Sequence, residues 1–308
     1  MISTEGLAAS ATRPFRPGVA LLYLVGAHIG FTLVDASGKY LAASMGVPLI
    51  TLARHSVQVV LMLLILAPTM GWMLVRTRHP GLQIARGLAL AGFTLFFFTA
   101  LRYLPIAEAT AINFMTPFGV ILLAGPLLAE TITWRRWLGA CLGFIGMLII
   151  IRPGSGLAPV GILFAALTVA CNIAFQLLTR RLSTMENQNM TIFVTAVVGV
   201  VVGIFMLPLQ QAWGGWPQGL SQWQWIVLLS LGLSGAFSQW CLIRAYFWSS
   251  ASFIAPLVFL QMIWTASAGW FFFGQYPDTV ATFGIVIIVS TGVLTMWAES
   301  RTKGRVTG

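Results

Sequence analysis

Long apolar runs, each about the length of a membrane-spanning helix, fill most of this chain of 308 residues. Hydrophobic residues make up 58% of the chain and charged residues only 8%, whereas a soluble domain carries roughly a quarter charged residues. A soluble fold would have too little charge to cover its surface. Because a helix needs about 20 apolar residues to cross a bilayer, the sequence predicts an all-α integral membrane protein.

Polar residues, glycine and proline divide these apolar runs into ten predicted spans. The first run follows Arg13 and Arg16, but it is too long for a signal peptide and contains Asp35, so we retain it as a span. The predicted spans cover residues 18–41, 48–69, 82–101, 105–128, 134–151, 158–179, 190–208, 222–244, 252–273 and 278–297.

The basic residues are divided unequally between the two sides of the predicted membrane. With the N-terminus inside, thirteen of the 17 Lys and Arg residues fall on the inner side, Arg86 among them. Lys39, Arg102 and Arg152 fall on the outer side, and Arg54 lies within span 2. Because Lys and Arg collect in cytoplasmic loops, both termini are predicted to be cytoplasmic. The net charge of +10 therefore reflects topology, and we expect no nucleic-acid partner.

The two halves of the chain resemble each other in spacing and hydropathy. Span 1 aligns with span 6, and spans 4 and 5 align without gaps with spans 9 and 10. Residues 18–154 and 155–298 are therefore two predicted five-helix repeats, between cytoplasmic tails at 1–17 and 299–308. Because five is odd, the repeats must cross the membrane in opposite senses. Carriers use such inverted repeats to form two related conformations around a central site.

Ionisable residues inside the spans are candidates for coupling transport to charge movement. His28, Asp35 and Lys39 lie on one face of span 1, since they are seven and four residues apart. A partly desolvated carboxylate such as Asp35, with His28 beside it, can load and release a proton. Alternatively, Asp35 and Lys39 neutralise each other near the outer interface. Glu108, at the start of span 4, is either a further coupling carboxylate or a helix cap.

Arg54 lies about two turns into span 2, too deep to reach the interface comfortably. A guanidinium group there can bind a substrate carboxylate or phosphate through two parallel hydrogen bonds. The alternative is a structural ion pair with Asp35 or Glu108. These three charged residues all belong to the first repeat, which places any proton coupling in that repeat. Their partners in the second repeat are uncharged, namely Gln176, Thr195 and Phe253.

Neutral polar and aromatic side chains inside the spans form a second group of candidates. Lipid offers amides no hydrogen-bond partner, so they should face the bundle interior, either as contacts between helices or as substrate ligands. Trp264 and Tyr103 are candidates for stacking on an organic substrate, with core packing as the alternative. The amides are Asn113, Asn172, Gln176, Gln239 and Gln261.

Motifs that would indicate an enzyme are missing from the sequence. There is no phosphate-binding GxxxxGK[ST], no HExxH and no GxSxG. Cys141, Cys171 and Cys241 are far apart and lack metal-ligand spacing. We therefore expect no catalytic residue, metal or cofactor. A membrane enzyme acting on lipid and a channel are the alternatives from other functional classes.

Two stretches of the sequence resemble a known family. DASGKYLAASMGVPLITLAR, and the segment from IARGLALAGF through LPIAEATAINFMTPF and LLAETITWRRW to IIIRPG, are similar to EamA-domain carriers of the bacterial drug/metabolite transporter superfamily. The resemblance covers nearly the whole chain and is strongest over residues 31–154. In the second half, Gln275 stands where a glutamate is often found. The D-x-x-x-K end of span 1 and the arginine in span 2 resemble a subgroup labelled S-adenosylmethionine-uptake-like.

The resemblance implies a ten-helix secondary carrier of the inner membrane, with a central cavity lined mainly by spans 1, 3, 4, 6, 8 and 9. The leading hypothesis is an exporter of a small zwitterionic or anionic metabolite, with protons as a further partner. Arg54 would bind the substrate carboxylate, Asp35 with His28 a proton or substrate amine, and the amides would orient the rest. An uptake carrier for a substrate like S-adenosylmethionine is the main alternative.

Overall fold

The computed structural model describes residues 17–116, 118–120, 123, 134–151, 156–183, 185–248 and 261–304. Within these ranges the chain forms helices and no β-strand, which confirms the all-α class. Short 3-10 turns at Gly71–Leu74 and Leu207–Leu209 follow the α-helices that end at Met70 and Met206. The α-helices are α1 (Pro17–Ala42), α2 (Val47–Met70), α3 (Pro80–Tyr103), α4 (Ile106–Asn113), α5 (Trp134–Ile151), α6 (Pro159–Ser183), α7 (Gln188–Met206), α8 (Gln222–Trp248), α9 (Gln261–Phe273) and α10 (Thr279–Gly304).

Six of these helices, α1, α2, α3, α6, α7 and α8, are long and apolar enough to cross a bilayer. They coincide closely with predicted spans 1, 2, 3, 6, 7 and 8, because the length of an apolar run is readable directly from sequence. The chain is therefore a multi-pass membrane protein. The count of ten spans stays a prediction, since parts of 105–128 and 252–273 lie outside the described residues.

Proline and glycine mark the helix ends that the sequence predicted. Proline occupies one of the first two positions of both α2 and α3, where its missing N–H group leaves no hydrogen bond unmade. Gly71 caps the C-terminus of α2; it has a φ of +48° and donates its N–H to the carbonyl of Ala67. Such a φ is strained for other residues. The turn after α2 is thus built into the local sequence.

Helices of the first half pack mainly on helices of the second half. The contacting pairs include α1 with α8, α3 with α6, α2 with α7, α4 with α9 and α5 with α10. If each helix is exchanged for its counterpart in the other half (α1 with α6, α2 with α7, and so on to α5 with α10), the same set of pairs results. The α1–α8 pair, for example, becomes the α6–α3 pair. A twofold relation between the halves would give this pairing, and that relation stays a prediction. Their opposite sense across the membrane stays a prediction.

Glycines allow α7 to approach α2 and α3 closely. A Cβ atom on Gly203 would lie 2.8 Å from the backbone Cα of Leu52. A Cβ on Gly199 would overlap the ring of His55, and one on Gly87 would meet Val198. Small residues at such interfaces let helix backbones pack in van der Waals contact, which drives association where lipid removes the hydrophobic effect.

A carboxylate from the α6–α7 turn joins the loop before α3 to the second half of the chain. Oε1 of Glu186 accepts hydrogen bonds from Thr77 Oγ1 at 2.8 Å and from the backbone N–H groups of Arg78 at 2.7 Å and His79 at 3.0 Å. Nδ1 of His79 lies 3.3 Å away. Partial burial raises the pKa of Glu186, but these hydrogen bonds outweigh it and hold the pKa below its ordinary value.

The Glu186→Gln variant should be less stable than the native protein at pH 7, because the amide replaces a charged acceptor at the start of α3. A carboxyl whose pKa is lowered by folding contributes stability above its ordinary pKa of about 4.3, and loses it as pH falls through the folded value. Thermal unfolding at pH 7 and below pH 4 should show the two proteins converging in acid. A gap that persists unchanged in acid would contradict this account.

Candidate functional site

Lys39, near the end of α1, is bound to the end of α3. Its Nζ donates to the carbonyl oxygens of Leu101 at 3.2 Å and Leu104 at 2.6 Å, and lies 5.5 Å from the ring centroid of Phe273. The carbonyls at a helix C-terminus lack intrahelical partners and attract a cation. No ion pair joins Lys39 to Asp35 within the described ranges, so the contacts of Lys39 do not match the alternative in which these two residues neutralise each other within α1.

Arg54 is a buried cation in α2, with 9% of its surface exposed. Its Nη1 donates to Oγ1 of Thr94 at 3.3 Å, and its guanidinium carbon lies 5.8 Å from the centroid of Phe98. Asp35 and Arg54 interact electrostatically, although no direct ion pair joins them in the described part of the chain. Because a guanidinium carries five N–H donors, the contacts shown leave donors for a carboxylate or phosphate.

Glu108 lies in the first turn of α4, where the helix dipole stabilises a negatively charged carboxylate. Its side chain is buried, and its Oε2 atom has no hydrogen-bond partner among the described residues. Lys39 interacts with it electrostatically. Asp35 thus interacts electrostatically with Arg54, and Lys39 with Glu108, without a direct ion pair among the described residues.

A chain of amide side chains connects α4 of the first half with α6 of the second. Nδ2 of Asn172 donates to Oδ1 of Asn113 at 3.0 Å, and Nε2 of Gln176 donates to Oδ1 of Asn172 at 3.4 Å. Thr116 Oγ1 also donates to Asn113. Asn113 and Asn172 are half-buried and Gln176 is exposed. Three predicted binding residues are thus brought together and hydrogen-bonded to each other, and each keeps some exposed surface.

The other predicted site residues lie apart from this chain of amides. His28 is 2% exposed, and its Nδ1 has no hydrogen-bond partner within the described part of α1 and its neighbours. Gln261 is half-buried at the start of α9. Trp264 is 37% exposed and Tyr103, at the end of α3, is 48% exposed. The structure does not bring these side chains together, and their contact with a substrate stays a prediction.

Arg86 is a buried cation that the charge count had assigned to the cytoplasmic side without a role in the interior. It lies in α3 and is 5% exposed. Its Nε donates to Thr179 Oγ1 at 2.7 Å, and its Nη1 donates to Thr195 Oγ1 and to the carbonyl of Thr191. The guanidinium carbon lies 4.5 Å from the centroid of Phe175. Residues from α6 and α7 thus surround it.

One signal in the sequence pointed to this burial. Arg86 falls inside the predicted span 82–101, but the charge count assigned it to the inner side as if it lay in a loop. Its partners lie more than ninety residues away along the chain, as between Arg86 and Thr179. Local sequence therefore carries no information on what the guanidinium contacts.

Comparison with known proteins finds matches along almost the entire chain. A sequence profile described as the EamA-like transporter family matches residues 18–152 and again residues 159–297. A solved crystal structure aligns with a TM-score of 0.62 and 17% identity, over 94% of this chain and 100% of that one. At that identity the structural match concerns the fold alone.

The curated relatives are transporters of several different small molecules. An S-adenosylmethionine uptake transporter of Rickettsia felis is 28% identical over 75% of this chain and 76% of its own. A riboflavin transporter of Vibrio cholerae is 26% identical over 92% of this chain and 94% of its own. A pseudopaline exporter of Pseudomonas aeruginosa is 28% identical over 94% and 97%, respectively.

These matches confirm the resemblance that the sequence motifs indicated. The profile covers well over half of the chain, and the relatives carry small molecules in both directions. Family and relatives alike are transporters rather than enzymes. The chain is therefore a multi-pass membrane protein of the EamA-like transporter family that transports a small molecule.

Proposed function

We propose that this protein is a secondary transporter that exports a small zwitterionic or anionic metabolite, such as an amino acid or an amino-acid derivative, by alternating access. The observation that carries the proposal is Arg54, a buried guanidinium near Asp35 with a single hydrogen bond to a described side chain. Charged residues inside a membrane protein mark substrate or ion pathways. Arg54 would bind the acidic group of the substrate, and Asp35 with His28 would bind a proton or the substrate amine.

The architecture proposed is ten helices in two inverted repeats, 18–154 and 155–298, with both termini in the cytoplasm and the chain in a bacterial inner membrane. Support comes from the pairing of helices between the halves, which is unchanged by exchange of equivalent helices. The family profile also matches the chain twice in succession. Inverted repeats place the substrate site between the halves, where Asn113 and Asn172 meet.

Proton coupling is proposed for the first half of the chain, through Asp35, His28 and Glu108. The side chains of His28 and Glu108 are buried and retain an atom without a partner among the described residues. A buried polar group without a hydrogen bond is costly, so a proton or substrate group that supplies one would bind with a gain. Movement of that proton would drive export.

An uptake carrier for a substrate like S-adenosylmethionine is the second candidate. The Rickettsia felis relative, similar over three quarters of this chain, is named for that activity. Export is favoured as the first candidate because the similarity to the pseudopaline exporter extends over 94% of the chain. Both candidates use the same pair of charges, and they differ in the direction of flux.

Metabolite profiling of cells and medium tests this proposal in one experiment. Cells overexpressing the native protein should accumulate one zwitterionic or anionic compound in the medium, whereas cells expressing Arg54→Ala at the same level should not. Depletion of a compound from the medium would support uptake instead. Identical profiles, with no flux by purified protein in proteoliposomes for any compound class, would refute the transport proposal for this substrate class.

The Asp35→Asn variant should lose concentrative transport in proteoliposomes. The amide keeps the size and polarity of the side chain but cannot carry a proton near neutral pH. We expect the flux driven by a proton gradient to fall at least about tenfold, with exchange of substrate across the membrane at zero gradient retained. Equal response of native protein and variant to the gradient would exclude Asp35 as the coupling carboxylate.

A further inference from the structure

Of the charged side chains buried in the described membrane helices, Arg54 and Glu108 each interact electrostatically with an oppositely charged side chain, and Arg86 does not. Asp35 interacts with Arg54, and Glu108 interacts with Lys39. Arg86 has no carboxylate within ion-pair distance among the described residues, and its contacts are neutral hydroxyl, carbonyl and aromatic groups. A buried cation without a counter-ion is unfavourable unless an anion joins it.

The hydrogen bonds of Arg86 leave one of its donor groups unused for such an anion. Its Nε and Nη1 atoms are used by Thr179, Thr191 and Thr195, which hold the plane of the guanidinium in place. Its second amino group, Nη2, has no hydrogen-bond partner in the described part of the chain. One turn earlier, Gln83 donates to Thr191, while its own Oε1 is buried without a partner among the described residues.

The contacts of Arg86 resemble those of Arg54 in residue type, although both arginines lie in the first half of the chain. In the alignment of the two halves Thr195 corresponds to Arg54, so Arg86 supplies from α3 the guanidinium that α7 lacks. Each guanidinium contacts a threonine and a phenylalanine that lie one turn apart on a neighbouring helix. The two sets are Thr94 with Phe98 around Arg54, and Phe175 with Thr179 around Arg86.

We propose that Arg86, with Thr179 and Thr195, is a second anion-binding site, which holds the carboxylate or phosphate group of the transported molecule in the cytoplasmic half of the predicted membrane. This deepens the proposed transport function and rests on it. Two guanidinium sites, Arg54 toward the outer face and Arg86 toward the cytoplasmic face of the predicted membrane, bind the same acidic group in turn as the carrier changes conformation. Substrates with an acidic group are therefore favoured over their neutral analogues.

The Thr195→Asp variant separates this proposal from a purely structural role of Arg86. A carboxylate at position 195 would pair with the guanidinium and occupy the place of the substrate anion. We expect transport to fall at least about tenfold relative to Thr195→Asn, which has nearly the same shape without charge. The thermal unfolding temperature of Thr195→Asp should be no lower than that of Thr195→Asn, because the new ion pair compensates the buried charge. Equal transport by the two variants would overturn the proposal.

A binding measurement without transport provides the second arm. Native protein in nanodiscs of phosphatidylcholine alone should be thermally stabilised by members of a panel of amino acids, dicarboxylates and sugar phosphates, but not by the matching amides and alcohols. Thr195→Asp should lose this stabilisation, and Thr195→Asn should retain more of it than Thr195→Asp does, because only the aspartate carries a charge that competes with the anion. Stabilisation only by phosphatidylglycerol in the disc would identify a lipid headgroup as the anion and overturn the assignment to substrate, as would the absence of any shift.

The two arms distinguish failure of this inference from failure of the proposed function. If the native protein transports and Thr195→Asp transports equally well, the anion site is refuted and the transporter assignment stands. If anions stabilise the native protein but not Thr195→Asp, and the native protein transports none of the bound compounds, export of this substrate class is refuted and the anion site stands. Arg102→Gln, on the exposed end of the same helix, controls for loss of positive charge.

Discussion

Arg54→Ala is expected to lower substrate flux at least about thirtyfold, the loss that accompanies removal of a buried charged hydrogen-bond partner worth about 2–5 kcal/mol. The protein should remain folded, because the hydroxyl of Thr94 keeps its own bond to the carbonyl of Leu90 at 3.0 Å. The measurement is initial flux of the identified substrate in proteoliposomes, normalised to folded protein by size-exclusion chromatography.

Two further variants make this result specific. Arg54→Lys keeps the charge but not the planar pair of donors, and should transport between the native and alanine levels. Arg102 is also an arginine near the outer face in the predicted topology, but it is exposed and donates to the backbone carbonyl of Trp213 at 2.8 Å. Arg102→Ala should retain flux within about twofold, since exposed charges contribute little. Native flux by Arg54→Ala would remove Arg54 from the substrate site.

Gly203→Val is expected to destabilise the protein by about 3 kcal/mol or more, because overpacking a tight interface forces backbones apart. The first added carbon would lie 2.8 Å from Cα and 3.1 Å from the backbone nitrogen of Leu52. A helix backbone cannot move aside as a flexible side chain does, so α2 and α7 must separate. Thermal unfolding of purified protein in detergent, together with the yield of monodisperse protein, measures the effect.

Gly81→Ala is the matched control for that substitution. Gly81 is also a helical glycine, in the first turn of α3, but a Cβ atom there would have no heavy atom within 4 Å. Alanine should leave stability unchanged or raise it by up to about 1 kcal/mol, because it favours the helix over the unfolded chain. If Gly203→Val and Gly81→Ala unfold at the same temperature, close packing of α2 on α7 does not limit stability.

Helix positions followed well from sequence in the part of the chain that the structure describes. Predicted span 48–69 became Val47–Met70, and span 82–101 became Pro80–Tyr103. Proline at the start of each helix and Gly71 after the first mark these ends through backbone geometry alone. Hydropathy and backbone punctuation act over neighbouring residues, so a linear pattern records them.

The partners of polar residues followed less well. Lys39 lies four residues from Asp35, a spacing that permits an ion pair along one helix. Instead, its ammonium lies against the carbonyls at the end of α3, which are concentrated where that helix stops. The choice between two acceptors depends on how α1 and α3 are rotated against each other. No pattern within span 1 contains that rotation.

The sequence by itself determined that the chain is all-helical, crosses a membrane several times and resembles the EamA carriers, because apolar length, local punctuation and motifs are properties of neighbouring residues. Only the tertiary structure decided that Asn113 meets Asn172 and that Arg86 is buried among threonines. Those contacts join residues far apart in the chain, and they depend on which helices pack together and on the face that each presents.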